Sequence, residues 1–137
     1  MEPVLIIGAG PSGLAAAACL KQAGVGFVLV DKNGRAGGAF CRMDRNLKLL
    51  SPNRYVSLPF LAYPGADEYP SMPDYEQYLA AYAQHFGLAP TPAEVTQVQR
   101  VSAGFAVKGT CGLDLQCRFL VVASGLFDHR YGLRSRA

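Results

Sequence analysis

The chain has 137 residues, of which half are hydrophobic and 17% are charged, and its formal net charge is +3. This length suits one domain with its own core and is too short for two ordinary domains. The small net charge gives no reason to expect nucleic-acid binding, and the absence of about 18 unbroken apolar residues argues against a membrane span. Four cysteines without a CxxC pair predict neither a disulfide framework nor a metal site, so we expect reduced thiols in a cytoplasm.

The N-terminal part of the chain has the pattern of a strand, a turn, a helix and a second strand. Residues 4–7 are a continuous apolar run that ends in glycine, which is typical of a strand buried on both faces of a parallel sheet. Residues 8–13 are predicted to turn. The alanine- and leucine-rich residues 14–23 are predicted to form a helix, which Gly24 ends in a left-handed conformation. Residues 27–30 form a second buried strand of the same kind.

The middle of the chain is predicted to be irregular and then helical. Residues 32–73 contain frequent glycine and proline, and such a long irregular stretch inside a compact domain is usually functional. The helix that follows can be capped by Ser71 or Asp74, and Gly87 ends it. We interpret its apolar stripe as a surface that faces the core rather than a ligand, and His85 as a solvated residue near the helix end. The stripe consists of Tyr75, Tyr78, Leu79, Tyr82 and Phe86.

The last third of the chain changes to a period of two. Residues 95–101, 105–107 and 113–117 alternate between apolar and polar side chains and predict a small antiparallel meander. The meander runs into a third continuous buried strand over residues 119–122. The expected fold is therefore α/β, a three-layer Rossmann-like domain. Its parallel sheet is expected to carry a helix on one face and the antiparallel β-meander on the other.

A glycine motif lies between the first predicted strand and helix. The segment Gly8-Ala9-Gly10-Pro11-Ser12-Gly13 fits GxGxxG, and Asp31 closes the next strand at the spacing of a dinucleotide-binding unit. We expect Gly8 to allow the tight turn, Gly10 to leave room for a diphosphate, and Gly13 to let the helix pack on the strand. The helix N-terminus would bind the diphosphate, and Asp31 would accept hydrogen bonds from ribose hydroxyls and repel a 2′-phosphate.

The segments that follow the motif resemble a known family. The run Asp31-Lys32-Asn33-Gly34-Arg35-Ala36-Gly37-Gly38-Ala39-Phe40 is similar to a segment of the two-dinucleotide-binding-domain flavoproteins. Val121-Val122-Ala123-Ser124-Gly125 resembles that family's second marker, with Ser124 in place of the usual threonine. Residues 47–59 and 78–86 resemble flavin-containing monooxygenase-like proteins, in particular the CzcO-type flavoproteins.

The resemblance implies an FAD-dependent oxidoreductase of the monooxygenase-like class, or the isolated FAD-binding part of one. Residues 1–137 are expected to form a single FAD/NAD(P)-binding domain that lacks the NADPH-binding domain and the C-terminal return segment. NADPH would then be the reductant without having its site in this chain. No catalytic acid or base stands out. The expected cofactor-binding residues are Gly8, Gly10, Pro11, Ser12, Gly13, Asp31, Lys32, Arg35, Gly37, Gly38, Ala39, Phe40, Val95, Ala123, Ser124 and Gly125.

Two other functions are compatible with the sequence. A non-catalytic module that binds FAD, NAD or ADP is the main alternative, and a short NAD-dependent dehydrogenase is weaker because the double glycine and the meander have no place in it. Disulfide reductases of the superfamily carry two cysteines beside the flavin. Here Asn46 stands five positions after Cys41, so we interpret Cys41 as a small buried hydrophobe. Expected apolar surface leaves room for a homo-oligomer.

Overall fold

The computed structural model describes residues 1–125, and within them the chain forms one mixed six-stranded sheet and two α-helices. The strand order across the sheet is β3-β2-β1-β6-β5-β4. Arg130, Arg134 and Arg136 crowd the C-terminus of the sequence and are interpreted as a solvated tail, which lies outside the described residues. The elements are β1 (Glu2–Ile7), α1 (Pro11–Gln22), β2 (Phe27–Asp31), α2 (Met72–Phe86), β3 (Thr91–Pro92), β4 (Val95–Val101), β5 (Gly104–Gly109) and β6 (Asp114–Val122).

The parallel part of the sheet is centred on β1, which pairs with β2 on one side and with β6 on the other. Successive side chains of a strand point to opposite faces. Val4 and Ile6 therefore join the core cluster that contains both helices, whereas Leu5 joins the cluster on the opposite face. This explains the unbroken apolar run, since both faces of β1 are covered. The two-residue strand β3 beside β2 was not predicted from the sequence.

The two helices lie on the same face of the sheet, where one helix was expected. Helix α1 begins at Pro11, inside the predicted turn, because proline is compatible with the first helical position. Gly24 is left-handed, with φ 71°, as predicted. Both predicted ends of α2 are confirmed: the Ser71 hydroxyl accepts a hydrogen bond from the Asp74 N–H at 3.2 Å, and Gly87 is left-handed.

The meander extends the parallel sheet through a shared strand. Strand β6 is continuous over two predicted strands, since its first half pairs with β5 and its second half pairs with β1. Val107 and Cys117 of the meander pack in one cluster with Leu5 on the face opposite the helices, so the α/β class and its three layers are confirmed. The prediction that residues 119–122 are buried is wrong, because Phe119 and Val122 are 62% and 67% exposed.

The tyrosines of α2 hold an irregular segment, residues 56–63, which we call the tyrosine-held segment. The Tyr75 hydroxyl donates to the Val56 carbonyl at 3.0 Å, and the Tyr82 hydroxyl donates to the Pro59 carbonyl at 2.8 Å. Burial raises the pKa of both phenols to about 12. The predicted core-facing role of the stripe is thus confirmed. Among the described residues, no helix is long and apolar enough to cross a membrane.

Candidate functional site

A cavity of about 360 Å³ opens where β1, β2 and β6 end. The carboxyl ends of parallel strands are where ligands bind in open α/β sheets. Thirteen of the sixteen predicted cofactor-binding residues line this cavity. They are Gly8, Gly10, Pro11, Ser12, Asp31, Lys32, Gly38, Ala39, Phe40, Val95, Ala123, Ser124 and Gly125. Four segments that are distant in sequence, residues 8–12, 31–40, 95 and 123–125, therefore meet at one edge of the sheet.

Residues 8–13, called the glycine loop below, are held by contacts that exclude side chains. Gly8 has φ 103°, a conformation that side chains rarely adopt, and a Cβ there would lie 2.3 Å from the Ala123 carbonyl oxygen. A Cβ on Gly13 would lie 1.7 Å from the Gly8 carbonyl oxygen. The expected roles of Gly8 in the turn and of Gly13 in close helix packing thus have a direct geometric basis.

The double glycine packs directly on the glycine loop. The Gly37 N–H donates to the Ala9 carbonyl at 2.9 Å, and Gly37 has φ 123°. A Cβ on Gly38 would lie 2.9 Å from Gly10 Cα, and a Cβ on Gly37 would lie 2.4 Å from Cys41 Sγ, so Gly37 and Gly38 both need to be glycine. Two glycine-rich segments therefore form one continuous backbone surface along the cavity.

The N-terminus of α1 is open toward the cavity. No side chain caps it, and its first turn carries no acidic residue. By contrast, α2 is capped by Ser71 and has Asp74 in its first turn. The first N–H groups of a helix have no partner within the helix, and the helix dipole gives them a partial positive charge. This end of α1 is suited to an anionic ligand such as a diphosphate.

Asp31 lies buried at the end of β2, with 7% of its surface exposed. Its Oδ2 accepts a hydrogen bond from the Ala9 N–H at 2.9 Å, and its Oδ1 accepts one from the Asn33 N–H at 2.8 Å. The Asp31 carbonyl accepts from the Ala93 N–H at 3.1 Å. This bond holds residues 93–95, which form one wall of the cavity, beside β2. That wall includes Glu94, whose N–H donates to the Thr110 hydroxyl at 2.8 Å.

Three predicted residues do not line the cavity. Gly13 and Gly37 act behind it, through the backbone contacts described above. Arg35 is exposed and lies outside the lining. Five further lining residues were not predicted from the sequence, and their only signal was that each lies within two positions of a predicted residue. These are Ile7, Val30, Asn33, Ala93 and Glu94.

Each of the four cysteines, which all lie in the described part of the chain, is a free thiol. Cys41 is half-buried beneath the double glycine, and its Sγ donates to the Ala36 carbonyl at 3.4 Å. Burial raises the pKa of the Cys41 thiol and also that of the Cys117 thiol. A raised pKa favours the unreactive thiol over the thiolate. The described residues contain no cluster of three or more potential metal ligands.

The sequence profile of the family described as pyridine nucleotide-disulphide oxidoreductase matches residues 5–135. The chain belongs to this family. A flavin-containing monooxygenase from Stenotrophomonas maltophilia superimposes with a TM-score of 0.87 at 29% identity. The superposition covers 96% of this chain and 41% of that chain. The fold is therefore that of the FAD-binding domain of flavin monooxygenases, as the resemblance had implied.

Plant monooxygenases are similar in sequence. A probable indole-3-pyruvate monooxygenase of Arabidopsis thaliana, YUCCA7, is 36% identical over 134 residues, which cover 88% of this chain and 31% of the relative. Indole-3-pyruvate monooxygenase YUCCA1 of Oryza sativa subsp. japonica is 38% identical over 128 residues, with the same coverage. The chain thus spans less than a third of the length of these curated relatives. The similarity to flavin monooxygenases inferred from the sequence is confirmed.

Proposed function

We propose that this chain is the FAD-binding part of a flavin-dependent oxidoreductase of the monooxygenase class, and that it holds the ADP half of FAD in the cavity. The flavin-containing and indole-3-pyruvate monooxygenases that it resembles support the class. NADPH is the proposed reductant, as in the class that the sequence resembles. The four free thiols further support a reducing, cytoplasmic location.

The observation that carries the proposal is the glycine at position 10. Its φ of −76° and ψ of −170° suit any residue, and a Cβ there would meet only Gly38 Cα, at 3.8 Å. The fold therefore has room for a side chain at this position, unlike at Gly8 and Gly13. Gly10 also lines the cavity, directly before the open N-terminus of α1. A glycine that the fold does not need is explained by the close approach of a ligand.

Each wall of the cavity suits one part of the nucleotide. The glycine loop and the start of α1 would hold the diphosphate through backbone N–H groups. Asp31 has acceptor capacity left for ribose hydroxyls, because each carboxylate oxygen accepts more than one hydrogen bond. Ala93, Glu94 and Val95 would form the wall beside the adenine. When FAD is bound, the flavin supplies the redox chemistry, whereas these residues bind and orient the cofactor.

The test measures the affinity of the 137-residue chain for FAD, ADP and FMN by calorimetric titration. We expect FAD and ADP to compete for one site and FMN not to compete, because the cavity recognises the ADP half. Gly10→Ala is expected to weaken binding of both by about tenfold or more, since about 1.4 kcal/mol of lost contact suffices for this change. Its stability to urea should stay close to that of the wild type.

Gly26→Ala is the matched control. A Cβ at Gly26 would make only an ordinary contact, 3.5 Å from Pro3 Cγ, and Gly26 does not line the cavity. We expect wild-type affinity for FAD in this variant. Wild-type affinity in folded Gly10→Ala would refute the proposed site. Equal affinity of the wild type for FAD and ADP would instead favour a nucleotide-binding module without a flavin subsite.

A further inference from the structure

The Asp31 carboxylate is already engaged before any ligand is considered. One oxygen accepts from the Ala9 N–H and the other from the Asn33 N–H, and the residue is almost fully buried. These are bonds from backbone donors to a charged acceptor, which are stronger than neutral hydrogen bonds. The carboxylate therefore connects the end of β2 to the glycine loop, 22 positions away in sequence.

Ala9 forms hydrogen bonds with two other segments beside the cavity, the end of β2 and the double glycine. It is completely buried, its N–H donates to Asp31, and its carbonyl accepts from the Gly37 N–H at 2.9 Å. One peptide segment thus fixes the glycine loop to β2 on one side and to the double glycine on the other. A buried N–H that loses its acceptor is unfavourable by about 1–3 kcal/mol, so this arrangement depends on the Asp31 oxygen.

We infer that Asp31 is a positioning residue, which holds the glycine loop in the geometry that binds a diphosphate. This inference rests on the proposed function, and it goes beyond recognition of the ribose by the same carboxylate. The two roles have different consequences. A carboxylate that acts only on ribose matters only for ligands with ribose hydroxyls, whereas one that positions the loop also matters for ligands without them.

The test compares ADP with 2′,3′-dideoxy-ADP, which keeps the diphosphate and lacks both ribose hydroxyls. Asp31→Asn places an NH₂ group against one of the two backbone N–H donors and removes the charge. We expect this variant to bind 2′,3′-dideoxy-ADP about tenfold more weakly than the wild type does, in keeping with the loss of one charge-assisted hydrogen bond. The loss for ADP should be at least as large.

Asp114→Asn is the matched control, because it changes the net charge by the same amount. Asp114 begins β6, at the opposite end of that strand from the cavity, and pairs with exposed Lys108 at 3.7 Å. Wild-type affinity for both ligands is expected. Asp31→Glu, which keeps the charge but displaces the oxygens by one methylene, is measured in parallel and is expected to weaken dideoxy-ADP binding as well. Unchanged dideoxy-ADP affinity in whichever Asp31 variant folds would overturn the inference.

A second measurement needs no ligand. Hydrogen exchange of the Ala9 amide, followed by NMR, should be faster in a folded Asp31 variant than in the wild type, and equal protection would contradict the positioning role. Failure of the wild type to bind either nucleotide would refute the proposed function. The amide exchange would still decide whether Asp31 holds the glycine loop, so the two failures are distinguishable.

Discussion

The glycine loop and the tyrosine-held segment are both irregular, but opposite kinds of contact hold them. In the glycine loop, backbone meets backbone, and Gly13 packs against the Gly8 carbonyl at a distance that leaves no room for a Cβ. In the tyrosine-held segment, long side chains of α2 reach the backbone through their hydroxyls. The first region is therefore sensitive to added atoms and the second to removed atoms.

The difference follows from what each region faces. The glycine loop lines the cavity, where side chains of its own would occupy the space for a ligand, so it is held by backbone contacts and by the Asp31 carboxylate from the neighbouring strand. No residue of the tyrosine-held segment lines the cavity. There, buried phenols fill the core, and their hydroxyls donate hydrogen bonds to backbone carbonyls of the segment. Each region is ordered by a means compatible with its surroundings.

The largest expected effect is that of adding one carbon atom to the glycine loop. In Gly13→Ala the new Cβ overlaps the Gly8 carbonyl, so we expect the free energy of unfolding in urea to fall by about 3 kcal/mol, at the upper end for overpacking. Gly24→Ala is the control. Gly24 is left-handed, but a Cβ added there would have no neighbouring atom within 4 Å, so the loss should be about 1 kcal/mol. Similar losses in the two variants would contradict the backbone-packing account.

A smaller effect is expected from removing one oxygen atom from the tyrosine stripe. The Tyr78 hydroxyl donates to the Leu61 carbonyl at 2.6 Å and accepts from the Leu58 N–H at 2.7 Å. Tyr78→Phe should lower the free energy of unfolding by about 2 kcal/mol, because two hydrogen bonds are lost together. Tyr55 is exposed and serves as the control. Tyr55→Phe should change the free energy of unfolding by less than about 0.5 kcal/mol. Equal effects would show that the hydroxyl contacts do not hold the segment.

A further effect is absent at neutral pH and appears only in alkaline solution. Burial raises the pKa of Tyr75 and Tyr82 from 10.0 to about 12, so each phenol holds its proton more tightly when folded. This contribution to stability is complete below pH 10.0 and is lost as the pH rises toward 12. The free energy of unfolding in urea should therefore fall over that pH range. It should fall less steeply in Tyr82→Phe than in the wild type. An unchanged pH profile in the variant would contradict this.

The sequence predicted those elements whose signals are local. Both ends of α2 followed from Ser71 and Gly87, since a cap acts within one helical turn. The start of α1 was misplaced because Pro11 suits both a turn and a helix N-terminus. Strand β3 was missed because two residues carry no periodicity. The exposure of Phe119 was missed because burial depends on spatial neighbours that periodicity does not report.

The candidate site likewise has features that the sequence predicted and features that it did not. The sequence by itself determined that a tight turn joins β1 to a helix, although not the residue at which the helix begins, because GxGxxG between a strand and a helix specifies backbone conformation over six neighbouring residues. Only the tertiary structure decided that Gly38 would pack on Gly10, that Arg35 would lie outside the cavity, and that Asp31 would hold the Ala9 amide. The contacts of Gly38 with Gly10 and of Asp31 with Ala9 join residues more than 20 positions apart. They form because the parallel pairing of β1 with β2 places the ends of both strands side by side.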